Sequence, residues 1–428
     1  QAKDYLNFRA LYKRAFYLAY LGESLISLTK RNNLPVKITY QYLNGDILTP
    51  VLHLESIKTD NPEDLYFKKF SINLIVGFPF ASFDSKKILP DKNCIRIQRG
   101  EDEELPATPL YNSSLIQSTS FDYYLKYLYT AKKLAESFKD ACILGRLWLQ
   151  QRDLGLSIHK GGFGHFEFAI LMAALLHGGG VNGNKILLHG FSSYQLFKGT
   201  IKYLATMDLN QGYLLFSSLV GESVTSKYVS DGFNVPTLFD KNVKLNIFWK
   251  LTQLLYSHLR RQAIDTLSLL NDVVKDRFDP ILLQKLHIPS MKHDILFSIS
   301  VPESLQDEFS ASDKIKFMTF SQWFQHRVGV ILRRALDDRV TEVHVGEINY
   351  GSDSFPLSKR KPAASQKDGT LCTILVGLQL TDDCDKLVTK GPQSDDEESG
   401  AKFRAFWGSK ASLRRFKDGV IQNCVVWN

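Results

Sequence analysis

A pair of glycines opening a helix with almost no polar face is the most restrictive feature of this chain. Gly161-Gly162-Phe163-Gly164-His165-Phe166-Glu167-Phe168 leads into the apolar run 169–176, and Gly178-Gly179-Gly180 follows it. A helix that is hydrophobic all round has to be buried on every side. Glycine at its start permits a turn and a close backbone approach that a side chain would block. Phe163, Phe166, Phe168, Ile170, Leu171 and Leu175 are therefore expected at the centre of a helical core. Gly161 and Gly162 are expected to be structural. The later cluster, Gly178 to Gly180 with Gly183, lacks the G-x-x-x-x-G-K-[ST] spacing of a phosphate loop.

The 428 residues allow two or three domains, at roughly 100–200 residues each. Residues 1–112 read as mixed α/β. Leu11, Ala15, Leu18 and Leu25 mark one face of an opening helix. Strand signals follow at 36–43, 47–55, 70–78 and 94–97, and Asn44-Gly45-Asp46 joins the first two as a hairpin. The acidic, proline-containing stretch 101–109 reads as a linker. Residues 113–240 read as nearly all helical, with helices expected near 121–135, 138–152, after Gly164, and over 195–207.

Residues 241–428 return to mixed character. Phe248, Leu251, Leu254, Leu255, Leu259 and Leu267 predict a long helix, and another covers 320–337. Strands are expected at 295–301, 340–348, 371–380 and 420–427. Two inserts, 358–368 and 391–400, lack the apolar residues that offset chain entropy and are expected to be disordered. Both ends carry a long helix followed by strands, and each has an apolar strand running into a Val-Gly pair, Val76-Gly77 and Val376-Gly377. The fold class is α+β, in the order α/β, all-α, α/β.

Composition narrows the partners. The balance of 53 basic and 45 acidic residues gives +8, which suits nucleic acid or an acidic partner. The five cysteines form no C-x-x-C pair, which favours a reducing compartment over a disulfide framework. No apolar run reaches the roughly 18 residues that span a membrane. The chain starts at Gln1, just before a helix, and ends on Cys424-Val425-Val426-Trp427. It is expected to be a piece of a longer protein.

Nucleotidyl transfer is a chemistry with a specific residue requirement. It needs two magnesium ions held by hard oxygen ligands, best supplied by carboxylates at alternate positions of one strand. In the first segment the alternating pair is His53 and Glu55, and imidazole is a poor magnesium ligand. In the last, Gly351-Ser352-Asp353 and Asp383-Cys384-Asp385 supply the letters, but the Asp pair follows its strand instead of lying on it. Gly408-Ser409 has no carboxylate pair after it. No catalytic residue, cofactor or metal site is therefore assigned. The ten histidines form no H-x-x-x-H pair, and G-x-S-x-G is absent.

The tract 402–417 is the strongest interaction signal. Lys402, Arg404, Lys410, Arg414, Arg415 and Lys417 interleave with Phe403, Phe406, Trp407 and Phe416, with no acid before Asp418. Cations can hold phosphates and exposed aromatics can stack on bases. The same aromatics could instead be core, with the cations reaching past them to water. Upstream, Ser394 precedes Asp395-Asp396-Glu397, a context read by acidophilic kinases.

Three stretches resemble the nucleolar RNA-associated protein (Nrap) family. They are the glycine-opened helix with Ser192-Ser193-Tyr194-Gln195-Leu196-Phe197-Lys198, the segment Leu89-Pro90-Asp91-Lys92-Asn93, and Phe406-Trp407-Gly408-Ser409-Lys410 continuing through Leu413-Arg414-Arg415-Phe416-Lys417-Asp418-Gly419. The helix also resembles the central domain of poly(A) and oligoadenylate polymerases. The resemblance implies two nucleotidyltransferase-like domains, 1–112 and 241–428, flanking an all-α polymerase-central-like domain, 113–240. It implies a nucleolar, non-catalytic scaffold of the small-subunit processome whose carboxylates have been lost. Expected partners are pre-rRNA, small nucleolar ribonucleoprotein components, other processome proteins and casein kinase. The alternatives are an active template-independent nucleotidyltransferase and a scaffold that binds only proteins.

Overall fold

The computed structural model describes residues 5–59, 70–80, 82–84, 86–95, 107–178, 185–210, 214–216, 236–240, 242–284, 293–310, 313, 317, 319–347, 370–382 and 384–427. It divides into two units, residues 1–287 with 304–324, and residues 288–303 with 325–428. Among the described residues no helix is long and apolar enough to cross a membrane.

The first unit opens with α1 (Arg9–Arg31) and an antiparallel sheet of β1 (Val36–Tyr42), β2 (Pro50–Ser56) and β3 (Ser71–Ile75), with β2 central. The hairpin forms as expected. Asn44 and Gly45 take left-handed conformations, φ 52° and 77°, and Val36 pairs with Ser56. Of the strand expected at 94–97, Cys94 and Ile95 are irregular and the rest lies outside the described residues.

Helices α2 (Pro109–Ser118), α3 (Phe121–Leu134), α4 (Phe138–Gln151), α5 (His165–His177), α6 (Ser193–Thr206) and α7 (Gln253–Leu270) build the rest. Short strands β4 (Leu214–Phe216), β5 (Leu238–Asp240) and β6 (Leu245–Asn246) precede α7. Helix α2 starts with Pro109 at the position where a missing N–H costs nothing. The sequence hid it behind Asn112, Ser113 and Ser114, all buried. Asn112 donates to the carbonyls of Leu89 and Lys92, and Ser114 to that of Tyr111. The expected boundary at 112/113 thus falls inside a helix.

Helix α5 is the centre of this unit. Every residue from Glu167 to Leu176 is buried. Gly145 of α4 faces the Phe168 ring so closely that a Cβ would overlap it. Helix α6 begins two residues earlier than expected because Ser192 and Gln195 form a reciprocal cap. Helix α7 starts at Gln253, later than Phe248, because Thr252 caps it; Phe248 and Leu251 are buried in the preceding turn.

The sequence division gave α7 to the third segment. It packs instead with the helical body. Trp148 Nε1 donates to Thr266 Oγ1 at 2.8 Å, and Lys198 Nζ to the Leu270 carbonyl at 2.9 Å. Arg152, buried, donates to the carbonyls of Trp148 and Ile281.

The second unit contains two antiparallel sheets. One has β9 (Thr370–Leu380) between β7 (Ile295–Pro302) and β8 (Val340–Glu347). The other has β12 (Ile421–Val426) between β10 (Val388–Gln393) and β11 (Ala411–Arg415). Helix α8 (Phe320–Leu336) contributes residues 325–336, and α9 (Glu397–Trp407) packs on the second sheet. The Val-Gly pairs do not correspond in the fold. Val76 and Gly77 follow edge strand β3, whereas Val376 and Gly377 lie inside central strand β9.

The insert expected at 358–368 lies outside the described residues. The one expected at 391–400 is ordered. Residues up to Gln393 finish β10, Ser394 donates its N–H to the Ile421 carbonyl at 2.9 Å, and Asp396 caps α9 through the Ser399 N–H. The acidic run that resembled a solvated loop is the negatively charged first turn of a helix.

Candidate functional site

The first unit buries a cluster of four ionisable side chains where its α/β part meets its helical part. The β1–β2 turn carries Asp46, and the turn before α7 carries Lys250; both side chains are almost wholly buried and form an ion pair. Asp46 also accepts from the Leu48 N–H at 3.3 Å and the Thr49 hydroxyl at 3.0 Å. Arg14, from α1, is buried nearby. Burial lowers its pKa while Asp46 and Tyr111 oppose that shift.

Glu167 completes the group. It sits in the first turn of α5 and accepts the Gly164 N–H at 2.9 Å. Burial pushes its carboxyl up to about 7, against the pull of Lys250 and the Gly164 N–H. The glycine turn fits against the same spot. Gly162 has φ +66°, and a Cβ there would fall 2.5 Å from the Lys250 backbone. The arrangement fills the joint with paired charge and tight backbone.

On β2, His53 and Glu55 stand at alternate positions, as read from the sequence. They bond to one another, Nε2 to Oε1 at 3.1 Å, while Nδ1 contacts Asn73 Oδ1 on β3 at 2.6 Å. The hydrogen bonds to Asn73 and then Glu55 raise the His53 pKa. With both ring nitrogens engaged by neighbouring oxygens, His53 offers no free position to a metal. Among the described strands none carries two carboxylates at alternate positions. Asp385 lies in a turn after β9; Asp383 and Gly351-Ser352-Asp353 lie outside the described residues.

In the second unit all six cations of the basic tract are exposed. Lys402 is tied to Glu398 one turn earlier at 2.6 Å, and Arg404 donates to Asn423 at 3.2 Å. Lys410 follows α9. Arg414 and Arg415 are consecutive on edge strand β11, so they project from opposite faces. Lys417 sits in the β11–β12 turn, closed by Gly419 at φ +85°. The cations thus form a scattered rim and not one stripe.

The tract's aromatics turn inward. Phe403 covers Gly391, Trp407 meets Trp427 edge-on at 5.6 Å, and Phe406 lies under the Arg334 guanidinium at 4.3 Å. Phe416 lies beneath Lys390 Nζ at 4.6 Å. These rings pack the unit and are not free to stack on bases. Ser394 is exposed at the turn before α9.

Sequence reading missed Arg14, Asp46, Glu167 and Lys250 as a group. Two signals were available. Glu167 stands three residues after Gly164, where a carboxylate can reach back to the N–H at a helix start, and Lys250 is a lone cation in the apolar run Ile247-Phe248-Trp249-Lys250-Leu251.

The middle of the chain is of the polymerase-central class: residues 137–285 match the Nrap protein PAP/OAS-like domain. Residues 1–134 match Nrap protein domain 1, and 289–428 match Nrap protein domain 3. The chain belongs to the Nrap family. It is 46% identical to U3 small nucleolar RNA-associated protein 22 of Saccharomyces cerevisiae over 100% of its own length and 37% of that protein's. The Schizosaccharomyces pombe protein of the same name is 32% identical over 99% of the chain and 37% of its own. Nucleolar protein 6 of Xenopus tropicalis is 29% identical over 100% and 36%. The chain thus spans just over a third of these relatives. A solved cytoplasmic RNA terminal U-transferase matches 62% of this chain and 76% of its own at 11% identity, with a TM-score of 0.37, too slight a likeness to bear on mechanism.

Proposed function

We propose that this chain is a non-catalytic, RNA-binding part of a small-subunit processome scaffold, acting in the nucleolus in rRNA processing and small-subunit assembly. The observation that carries the RNA contact is the exposure of Lys402, Arg404, Lys410, Arg414, Arg415 and Lys417 while the neighbouring rings pack inward. Such a surface holds phosphates without reading bases, so pre-rRNA is bound by backbone charge and shape. The names of the relatives support association with small nucleolar ribonucleoprotein components and other processome proteins.

The absence of catalysis is supported by β2, where the ring nitrogens of His53 are engaged by Asn73 and Glu55 and Glu55 is committed to His53. Transfer of a nucleotidyl group depends on metal-held oxygens, and this face pairs its one carboxylate with a histidine. The division into two nucleotidyltransferase-like portions around a helical one is part of the proposal. So is casein kinase as a partner acting at Ser394. Incubating the chain with a short RNA primer, all four nucleotides and magnesium or manganese should show binding without extension. Extension that is lost in an Asp383→Ala/Asp385→Ala variant would establish an active transferase instead.

A further inference from the structure

Helices α3, α4 and α5 leave an open groove of about 400 Å³ on the first unit. Its floor and walls are Leu125, Leu128 and Tyr129 of α3, Phe138, Cys142 and Ile143 of α4, and Ala169 of α5. Leu125, Leu128 and Tyr129 are spaced i, i+3, i+4, and Phe138 and Cys142 are spaced i, i+4 with Ile143 beside them, so each helix presents an apolar edge. Leu125 is 68% exposed, Tyr129 54% and Ile143 48%. Apolar side chains this open, gathered in one concave strip, mark a surface that is covered in use.

The rim identifies what covers it. Lys132, Lys139 and Arg146 line the groove, with His165, and no Asp or Glu is among the lining residues. All three cations are exposed, and none forms an ion pair among the described residues. Elsewhere on the unit surface lysines do find carboxylates, as Lys126 does with Asp122 at 2.6 Å. Lys133 Nζ lies over the Tyr129 ring, 4.7 Å from its centre. Burial pushes the Cys142 thiol up to about 12, and it behaves as an apolar wall atom.

We propose that this groove receives an amphipathic helix of a protein partner, with leucine-type anchors in the α3–α4 cleft and carboxylates against Lys132, Lys139 and Arg146. Helix-in-groove binding places anchors of the bound helix at i, i+3, i+4 and i+7 in an apolar cleft of this kind. A nucleic acid would be served by the cations but would leave Leu125 and Ile143 exposed. The inference is independent of the RNA contact assigned to the second unit.

The test uses the chain as it stands and a fluorescein-labelled helical peptide with leucines at i, i+3, i+4 and i+7 flanked by glutamates. Fluorescence anisotropy should show saturable binding. Ile143→Glu should weaken it by at least about tenfold, as should Lys132→Glu/Lys139→Glu/Arg146→Glu, because a desolvated anchor and a reversed rim each remove more than 1.4 kcal/mol. Both changes are at exposed positions, and unchanged urea midpoints will confirm folding. A lysine-flanked copy of the peptide should bind weakly to the parent and better to the charge-reversed variant. Absence of binding, equal binding of both peptides, or displacement by single-stranded RNA overturns the proposal. So does a dimer of the parent, seen by light scattering, that Ile143→Glu dissolves.

Discussion

Removing either partner of the Asp46–Lys250 pair should destabilise the first unit strongly, and removing both should cost less than the sum. Both side chains are nearly inaccessible, 3% and 2% exposed. At an effective dielectric constant of about 20, two unit charges 4 Å apart attract by about 4 kcal/mol. Stripping one partner from a buried pair typically costs about 3–5 kcal/mol, since the other charge is left without compensation. The local contacts refine this figure. Without Lys250, Asp46 keeps the Leu48 N–H, the Thr49 hydroxyl and the nearby Arg14. Without Asp46, Lys250 keeps the Trp249 ring, 4.7 Å away, and the field of Glu167.

Lys250→Met, which keeps the length of the stem, should therefore fall at the low end, about 3 kcal/mol. Asp46→Asn should cost a similar amount, and the double variant should recover at least about 2 kcal/mol of the summed loss. Urea unfolding of the four proteins at pH 7, followed by far-ultraviolet circular dichroism and tryptophan fluorescence, gives the cycle. Because the pair joins the β1–β2 turn to the turn before α7, hydrogen exchange should quicken at residues 43–49 in both single variants. Additivity within about 0.5 kcal/mol would refute the claim that the joint is held by this pair.

Glu167 gives a pH signature. Its folded value of about 7 exceeds the ordinary 4.5, so the folded state keeps a proton the unfolded chain has lost, and stability falls as pH rises through that window. Glu167→Gln should gain on the parent by up to ~3 kcal/mol between about pH 4.5 and 7; a pH-independent difference in urea unfolding would contradict this. Gly162→Val should destabilise by at least about 2 kcal/mol, from positive φ and overlap with Lys250, whereas a variant with the parent's midpoint would show that the turn adapts freely. Ser394 should be modified by purified casein kinase only slowly, because its N–H is bonded to Ile421 and the next residues start α9. Mass spectrometry finding no phosphate after prolonged incubation would remove that partner from the account.

The long periodic elements were readable in the sequence. The limits of α4 and β8 and the burial of α5 follow from apolar spacing alone, a local signal. What was hidden depended on partners far away in the chain. The buried place of Asn112 is not legible because its hydrogen bonds to the Leu89 and Lys92 carbonyls are invisible in one dimension. The acidic stretch 395–398 has disordered composition, yet Asp396 caps a helix whose Phe403 and Trp407 supply the missing apolar contacts. The alternating His53 and Glu55 were found, but that they bond to each other and to Asn73 required the β2–β3 register. The charge cluster of Asp46 and Lys250 joins residues too distant for any window to connect.

RNA binding across a salt series tests the central claim most directly. The parent chain and an Arg414→Glu/Arg415→Glu/Lys417→Glu variant are titrated with a single-stranded pre-rRNA fragment from low to moderate salt. Each phosphate contact contributes about 0.7 to the slope of log affinity against log salt for single strands. Arg414 and Arg415 face opposite ways, so a strand of RNA bound as proposed would engage Lys417 and one arginine. The account predicts weaker binding and a slope shallower by about 1 to 2 for the variant, with an unchanged unfolding midpoint. Identical affinities and slopes for the two proteins would contradict it.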